Sequence, residues 1–543
     1  MLTMARVRWG GLLLLFAALA TLHTWPLARD PGHLTRLDND DTAFNTWVVA
    51  WVAHQLPRDP VHLFDAPIFF PAPDALAFSE HMVVPAVIGA PLQWAGMSPV
   101  LVYNLLVWLG FTLSGFAAAL LMRAWTGSIA AAIVAGCLYA FNAHLLTRFS
   151  HLQALHLEFF PIVLYAFDRV VRGAGRRTTF AALAAAFVLQ ALCSNYTMVM
   201  MTTALVIAFV VRPEAWTLQR RVWLPLVGTG LLVVALLAPF LWPYYLVRRE
   251  QGLVRTIEDV HQYSAGVLDY FVTAGRLHFT LWSHRVFEGR TALFPGFAGI
   301  ALAAYAVVTG IAWRDLRARM MLFFGIAGFA LSFGDALPGY AWLQEHIVLM
   351  QGIRAAARWG LLPLVAVALL AGFGVAALES RWRRHALWPA FAVALAGLVT
   401  LEALRAPLSL VRFAGISPVH ARLANEPVRA LVVYPLFGGN QFNSNARYML
   451  DQTRHWKPML NAYSSFAPPV FYDLATRLRS FPSADAVREL RANGFSHVLV
   501  HRAAFEREIG RDGVNGLRAN HDLEFVLEQD DVIIYRVKEA PGG

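Results

Sequence analysis

Long apolar stretches separated by short arginine runs fill the first three quarters of this chain, and they leave few architectures open. The stretches are 9–28, 99–122, 128–143, 157–171, 178–193, 197–211, 222–246, 294–312, 319–334, 361–378 and 386–404. A helix crosses the hydrocarbon core of a bilayer in about 20 residues, so these read as membrane spans, some of them short. The runs are Arg169/Arg172/Arg176/Arg177, Arg212/Arg220/Arg221, Arg314/Arg317/Arg319 and Arg381/Arg383/Arg384. Loops on the cytoplasmic side carry such runs. Eleven crossings, starting inside with Arg6 and Arg8, put every run in the cytoplasm and every long loop outside. The stretch 82–96 is also apolar but carries Pro85 and Pro91 and is bounded by Gly96-Met97-Ser98-Pro99. A twelfth crossing there would turn all later runs outward, so it reads as a re-entrant or interfacial segment.

Of the 543 residues, 57% are hydrophobic and 15% charged, which excludes an ordinary soluble domain. The net charge of +10 sits in the inter-span runs and not along one face, which argues against a nucleic-acid partner. Cys137 and Cys193 fall inside apolar stretches, where they pack as small hydrophobes. Ala18-Leu19-Ala20 resembles a signal-peptide cleavage site; cleaved or not, the chain from residue 30 onward starts outside. Two domains follow: a membrane domain, 1–404, with a first outer loop at 29–98, and an exported tail, 405–543. The tail reads as a small α/β domain. Ala430–Tyr434 is a strand stopped by Pro435, Ala484–Asn493 a helix ended by Gly494, Ser496–Val500 a strand, and Leu523–Leu527 with Val532–Val537 a hairpin.

The candidates for chemistry lie in the outward loops. Asp38-Asn39-Asp40-Asp41 precedes a helix expected over Asp41–Leu56, whose Phe44, Trp47 and Trp51 form a stripe suited to lying flat on a membrane. Asp38 or Asn39 can cap this helix and the acids suit its dipole, but one cap needs only one residue. Asp40 or Asp41 is therefore the expected general base, with Asn45 on the same helix a substrate contact. Glu80 and His81, at the end of the first loop, suit sugar hydroxyls, a metal, or plain solvation. The second loop carries Arg148, His151 and Glu158; His151 and Glu158, seven apart, would share a helical face. Zinc motifs such as His-Glu-x-x-His are absent, and a divalent metal stays an open cofactor. Arg354 and Arg358, one helical turn apart on the outer side, suit a phosphate or lipid head groups. His455–Tyr463 mixes aromatics with polar groups, as a sugar-binding face or as packing. The spans look nearly free of ionisable groups, Glu402 excepted, which disfavours an ion-coupled transporter.

An acid just after the first span, a helical first outer loop, many further spans and an outer C-terminal domain together resemble the GT-C superfamily of membrane glycosyltransferases. Gly352-Ile-Arg354-Ala-Ala-Ala-Arg358-Trp359 and Asn461-Ala-Tyr-Ser-Ser-Phe466, followed by Pro468, resemble bacterial membrane proteins of the YfhO-like kind. The resemblance implies an all-α, GT-C-like domain of about 11 transmembrane helices with a small C-terminal α/β extracytoplasmic domain, in a bacterial inner membrane. It implies inverting transfer of a sugar from a polyprenyl-phosphate donor to a glycan, lipid or protein acceptor. Asp40 or Asp41 would match the catalytic acid and Glu158 a second acidic position, while Arg354 and Arg358 would bind the lipid phosphate. No Trp-Trp-Asp signature is present, so transfer to an asparagine sequon is not implied. The alternatives are a flippase of lipid-linked precursors and a non-catalytic envelope-assembly protein.

Overall fold

The computed structural model describes residues 2–36, 39–212 and 219–539. Asp38 and the side chains of Arg6, Arg8 and Arg221 lie outside the described residues. Each of the eleven apolar stretches holds a helix, from Leu2–His23 to Trp388–Ala403. Four helices among the described residues are long and apolar enough to cross a membrane: Pro99–Thr126, Ile129–Thr147, Val222–Gln251 and Ala356–Trp382. Trp9–His23, Arg177–Cys193, Asn195–Val211, Phe297–Val308 and Trp388–Ala403, which coincide with further expected spans, are apolar but shorter. The stretch 82–96 forms the helix Val83–Trp94.

The chain divides into two compact units: Met1–Pro31, Tyr103–Pro239 and Val254–Leu410 form the first, and Gly32–Val102, Phe240–Leu253 and Val411–Gly543 the second. The first outer loop thus gathers with the tail and not with the helices that flank it in sequence, unlike the division expected at 404/405. The reason is visible in its contacts, described below.

In the first unit, helix Leu361–Trp382 is central, packed on Ile129–Ala140, Phe297–Val308 and Leu316–Ser332. Small residues allow the approach, since a side chain at Gly374 would collide with the Leu302 carbonyl. The Phe16 ring likewise fills the space that glycines 115 and 136 leave open. Helix Arg220–Gln251, which belongs to this unit up to Pro239, is the opposite case, with only 6% of its most apolar window buried. Burying a large apolar side chain is worth about 1.5–3 kcal/mol. An apolar helix of this kind is stable only against lipid or another apolar surface.

Of two buried carboxylates, Asp168 corrects the expectation that Glu402 is the exception among nearly charge-free spans. Asp168, near the end of helix Phe159–Val171, accepts from Arg212 Nη1 at 2.7 Å and from Arg172 Nε at 3.0 Å. The opposite charges meet directly, which lets both be buried. Glu402 accepts from the backbone N–H groups of Phe297 and Ala298 and lies 3.2 Å from His278 Nε2. It satisfies the open N-terminus of helix Phe297–Val308, a structural task.

The second unit holds a two-stranded ribbon, β1 (Leu34–Thr35) with β2 (Val411–Arg412), and a four-stranded sheet. The sheet runs β3 (Leu431–Tyr434), β4 (His497–His501), β6 (Val532–Val537), β5 (Leu523–Gln529), with β3 and β4 parallel and the other pairs antiparallel. The hairpin and the helix Ala484–Ala492, capped by Ser483, fall where the sequence puts them. Asn461, in the motif noted above, accepts from Val433 N and donates to Val433 O, prolonging the sheet edge with one side chain.

Candidate functional site

Helix Asp40–Gln55 opens with Asn39 as its cap, the Asn39 side chain accepting from Asp41 N at 2.9 Å. The cap being filled by Asn39, both half-buried carboxylates of the first turn are engaged elsewhere. Asn443 Nδ2 donates to Asp40 Oδ2 at 2.5 Å, and the Tyr463 hydroxyl donates to Asp41 Oδ1 at 2.8 Å. Negative charge at this place suits the helix dipole. Asn45 is buried one turn further on.

The aromatic stripe behind the acids does not lie on a membrane, as its sequence suggested. Phe44, Trp47 and Trp51 are all buried. Trp47 Nε1 donates to Gln452 Oε1 at 2.8 Å and Trp51 Nε1 to the Leu63 carbonyl at 2.9 Å. Trp456 packs on Trp51 and stacks on His54 at 4.4 Å, and Tyr463 meets the edge of Phe44. Trp456 and Tyr463 thus serve packing, against the first loop's own helix. Gln452 also donates to the carbonyls of Pro67 and Lys457, so one amide stitches three segments.

Glu80 and His81 are buried and not a solvated loop end. His81 sits among the rings of Phe64, Phe240 and Tyr244, and its Nδ1 accepts from Val83 N. Burial pushes its pKa down to about 4, so it is a neutral imidazole at pH 7.

The remaining predicted residues, Arg148, His151, Glu158, Arg354 and Arg358, belong to the first unit. The Arg358 guanidinium lies 4.1 Å from the Tyr196 ring centroid and that of Arg354 4.8 Å from Tyr263. The Tyr196 hydroxyl accepts from the backbone N–H groups of Arg354 and Ala355. The expected helical turn between the two arginines is absent: 356–360 is a 3-10 turn, and the rings, not a shared helix face, set the guanidiniums. Loss of hydration pushes the His151 pKa well below its usual value, and the charges of Arg148, Arg358 and Arg354 push it further. The charges of these three arginines thus all reach His151. Arg255 is within reach of Arg354, since burial and then the charge of Arg354 lower its pKa. Sequence reading did not single out Arg255. It too is an arginine on the expected outer side, the signal that singled out Arg354 and Arg358.

Glu158 does not share a helix with His151. The chain breaks after the short turn Leu152–Leu155, and Glu158 Oε1 pairs with buried His156 Nδ1 at 2.8 Å. Gln190 ties this corner down, donating to the His156 carbonyl and accepting from Phe160 N. Among the described residues, no group of three or more His, Cys, Asp or Glu side chains is arranged to hold a metal ion.

No family model and no curated protein matches the chain. Among solved structures it is similar to arabinofuranosyltransferase AftD from Mycobacteria, at TM-score 0.59 and 14% identity over 98% of this chain. The chain spans 40% of AftD's length. It is also similar to the Archaeoglobus fulgidus oligosaccharyltransferase (TM-score 0.46, 14% identity, 93% of this chain and 70% of that one). A third is ArnT from Cupriavidus metallidurans (TM-score 0.39, 18% identity, 98% of each chain). These neighbours are GT-C glycosyltransferases. The chain shares the fold of AftD.

Proposed function

We propose that the protein is an inverting membrane glycosyltransferase that moves a sugar from a polyprenyl-phosphate donor to an acceptor hydroxyl on the extracytoplasmic side of the inner membrane. The observation that carries this reading is the likeness to AftD over nearly the whole chain. In the reaction, Asp40 or Asp41 accepts the proton of the acceptor hydroxyl as that oxygen bonds to the anomeric carbon. The bond from that carbon to the phosphate oxygen breaks, and the phosphate leaves with the electron pair. Arg354 and Arg358, with Arg148 and Arg255, meet the phosphate's charge through their planar N–H forks. Tyr463 and Asn443 position the carboxylates; Tyr196 and Tyr263 position the guanidiniums. Glu158, paired with His156, is assigned a supporting place in the first unit and not the base. The acceptor is a cell-envelope glycan, lipid or protein.

The test measures consumption of lipid-linked sugars in membranes holding the full chain or its Asp40→Asn, Asp41→Asn and doubly substituted forms. General base catalysis contributes about 10²–10⁴-fold, and a loss of that size is expected in at least one single variant and in the double. Unchanged consumption in the double variant, at equal protein level, sinks the reading.

A further inference from the structure

On the far side of the segment that holds Asp40 lies a cluster the proposed reaction does not use. Helix Ala446–Gln452 turns Asp451 toward a small cavity closed by the apolar side chains of β3 and β4. His420, His455 and His501 line the same cavity, with Tyr448. His420 Nε2 lies 3.8 Å from Asp451 Oδ2, too long for a hydrogen bond. His455 and His501 flank the His420 ring at 6.1 and 6.3 Å, and Tyr448 stacks on His501 at 5.1 Å. His420 Nδ1 and His501 Nε2 are buried with no hydrogen-bond partner among the described residues. Three imidazoles and a carboxyl group thus share a space that holds little water, and a proton added to any imidazole has poor solvation there.

The same short helix grips the acid-bearing helix. Gln452, next to Asp451, receives the Trp47 hydrogen bond. Ala446 and Leu450 pack with Ala43, and the turn just before the helix supplies Asn443 to Asp40. We propose that the His420–Asp451–His455–His501 cluster is a proton-sensitive support for helix Asp40–Gln55, loosening its hold on that helix when the medium acidifies. This holds whether or not Asp40 and Asp41 are catalytic.

The sign follows from all the charged groups facing the cluster. Burial lowers the pKa of His420 and His455 to about 3 and of His501 to about 4. Arg447 depresses His420 and His501 further, Lys457 depresses His455, and Asp531 partly offsets the effect at His501. Burial raises Asp451 to about 7, against the pull of Arg447; Glu508 and Asp451 act on Tyr448, which stays neutral. Between about pH 6 and 4.5, an opened segment therefore gains three protons on histidines and gives up the one on Asp451, a net uptake of about two. The histidines' contribution is present above their ordinary pKa of about 6.5 and is lost as pH falls. The contribution of Asp451 has the opposite sign.

Hydrogen exchange of the full chain, followed by mass spectrometry from pH 7.5 to 4.5 and corrected for intrinsic rates, reads both segments. Opening of 446–452 is expected to rise about 100-fold per pH unit below pH 6, with 40–55 following it. Asp451→Asn steepens this to about 1000-fold per unit, and His501→Gln flattens it to about tenfold. Opposite responses of this kind do not arise from a packing defect, which shifts all pH values alike. The proposal is overturned if opening of 446–452 is independent of pH, if 40–55 does not follow it, or if Asp451→Asn flattens the slope. Should Asp451→Asn fail to fold, His420→Gln replaces it, with the same flattening expected as for His501→Gln and an unchanged slope overturning the idea.

Discussion

The acids of the second unit and the arginines of the first are held in place by different means. Asp40 and Asp41 accept hydrogen bonds from an amide and a phenol, both brought by the tail. Arg354 and Arg358 rest on tyrosine rings, and stacking uses the face of a guanidinium, not its N–H edge. Elsewhere in the first unit, Asp168 meets Arg212 directly at 2.7 Å, and each charge answers the other. Neutral supports orient a charge without cancelling it, while an ion pair spends both charges on the fold.

Substitutions at four residues sharpen or break the contrast. The largest effect belongs to Arg212→Ala, which leaves Asp168 buried without its closest counter-charge. It is expected to cost about 3–5 kcal/mol of stability, read as a lowered thermal midpoint in detergent. A loss under about 1 kcal/mol would make this pair no more structural than the acids. Next comes Gln452→Leu, which strands Trp47 Nε1 and two backbone carbonyls; about 2–3 kcal/mol is expected, read by chemical denaturation of the full chain. Tyr196→Ala removes the face beneath Arg358 and should weaken donor binding about 5- to 30-fold, a loss of about 1–2 kcal/mol seen in the apparent KM. Tyr196→Phe keeps that face and should recover most of it, so equal losses in both variants would assign the role to the hydroxyl. The smallest effect is expected of Tyr463→Phe, about 1 kcal/mol, read as a fall in kcat larger than any change in KM.

A pH dependence separates the two regions further. His81 in the second unit has its pKa lowered to about 4, so its stabilising effect is complete above about pH 6.5 and fades as pH falls toward 4. Replacing it with Gln should flatten the acid limb of thermal stability over that window, and an unchanged limb would mean that His81 is already solvated in the folded protein.

Much of this was legible in the residues. The apolar stretches named their helices because burial periodicity and length are local properties, and the Asn39 cap and the hairpin at 530–531 are short-range signals of the same kind. The Trp47 stripe misled because an apolar helix face looks alike whether it meets lipid or protein. Asp168 went unnoticed in the sequence because its partner Arg212 lies 44 residues away, in a run already explained by topology.

By itself, then, the sequence determined that the chain is rich in apolar helices, that an acid pair starts one of them, and that the tail is α/β. Only tertiary structure decided that the first loop gathers with that tail and that Asn443 and Tyr463 hold the acids across 403 and 422 residues. It alone brought Arg255 within reach of Arg354 and drew histidines 420, 455 and 501 around Asp451. Caps, turns and hydrophobic runs act over a few residues and are written locally. Which distant amide or ring meets a charge depends on how whole elements pack, and no local pattern encodes it.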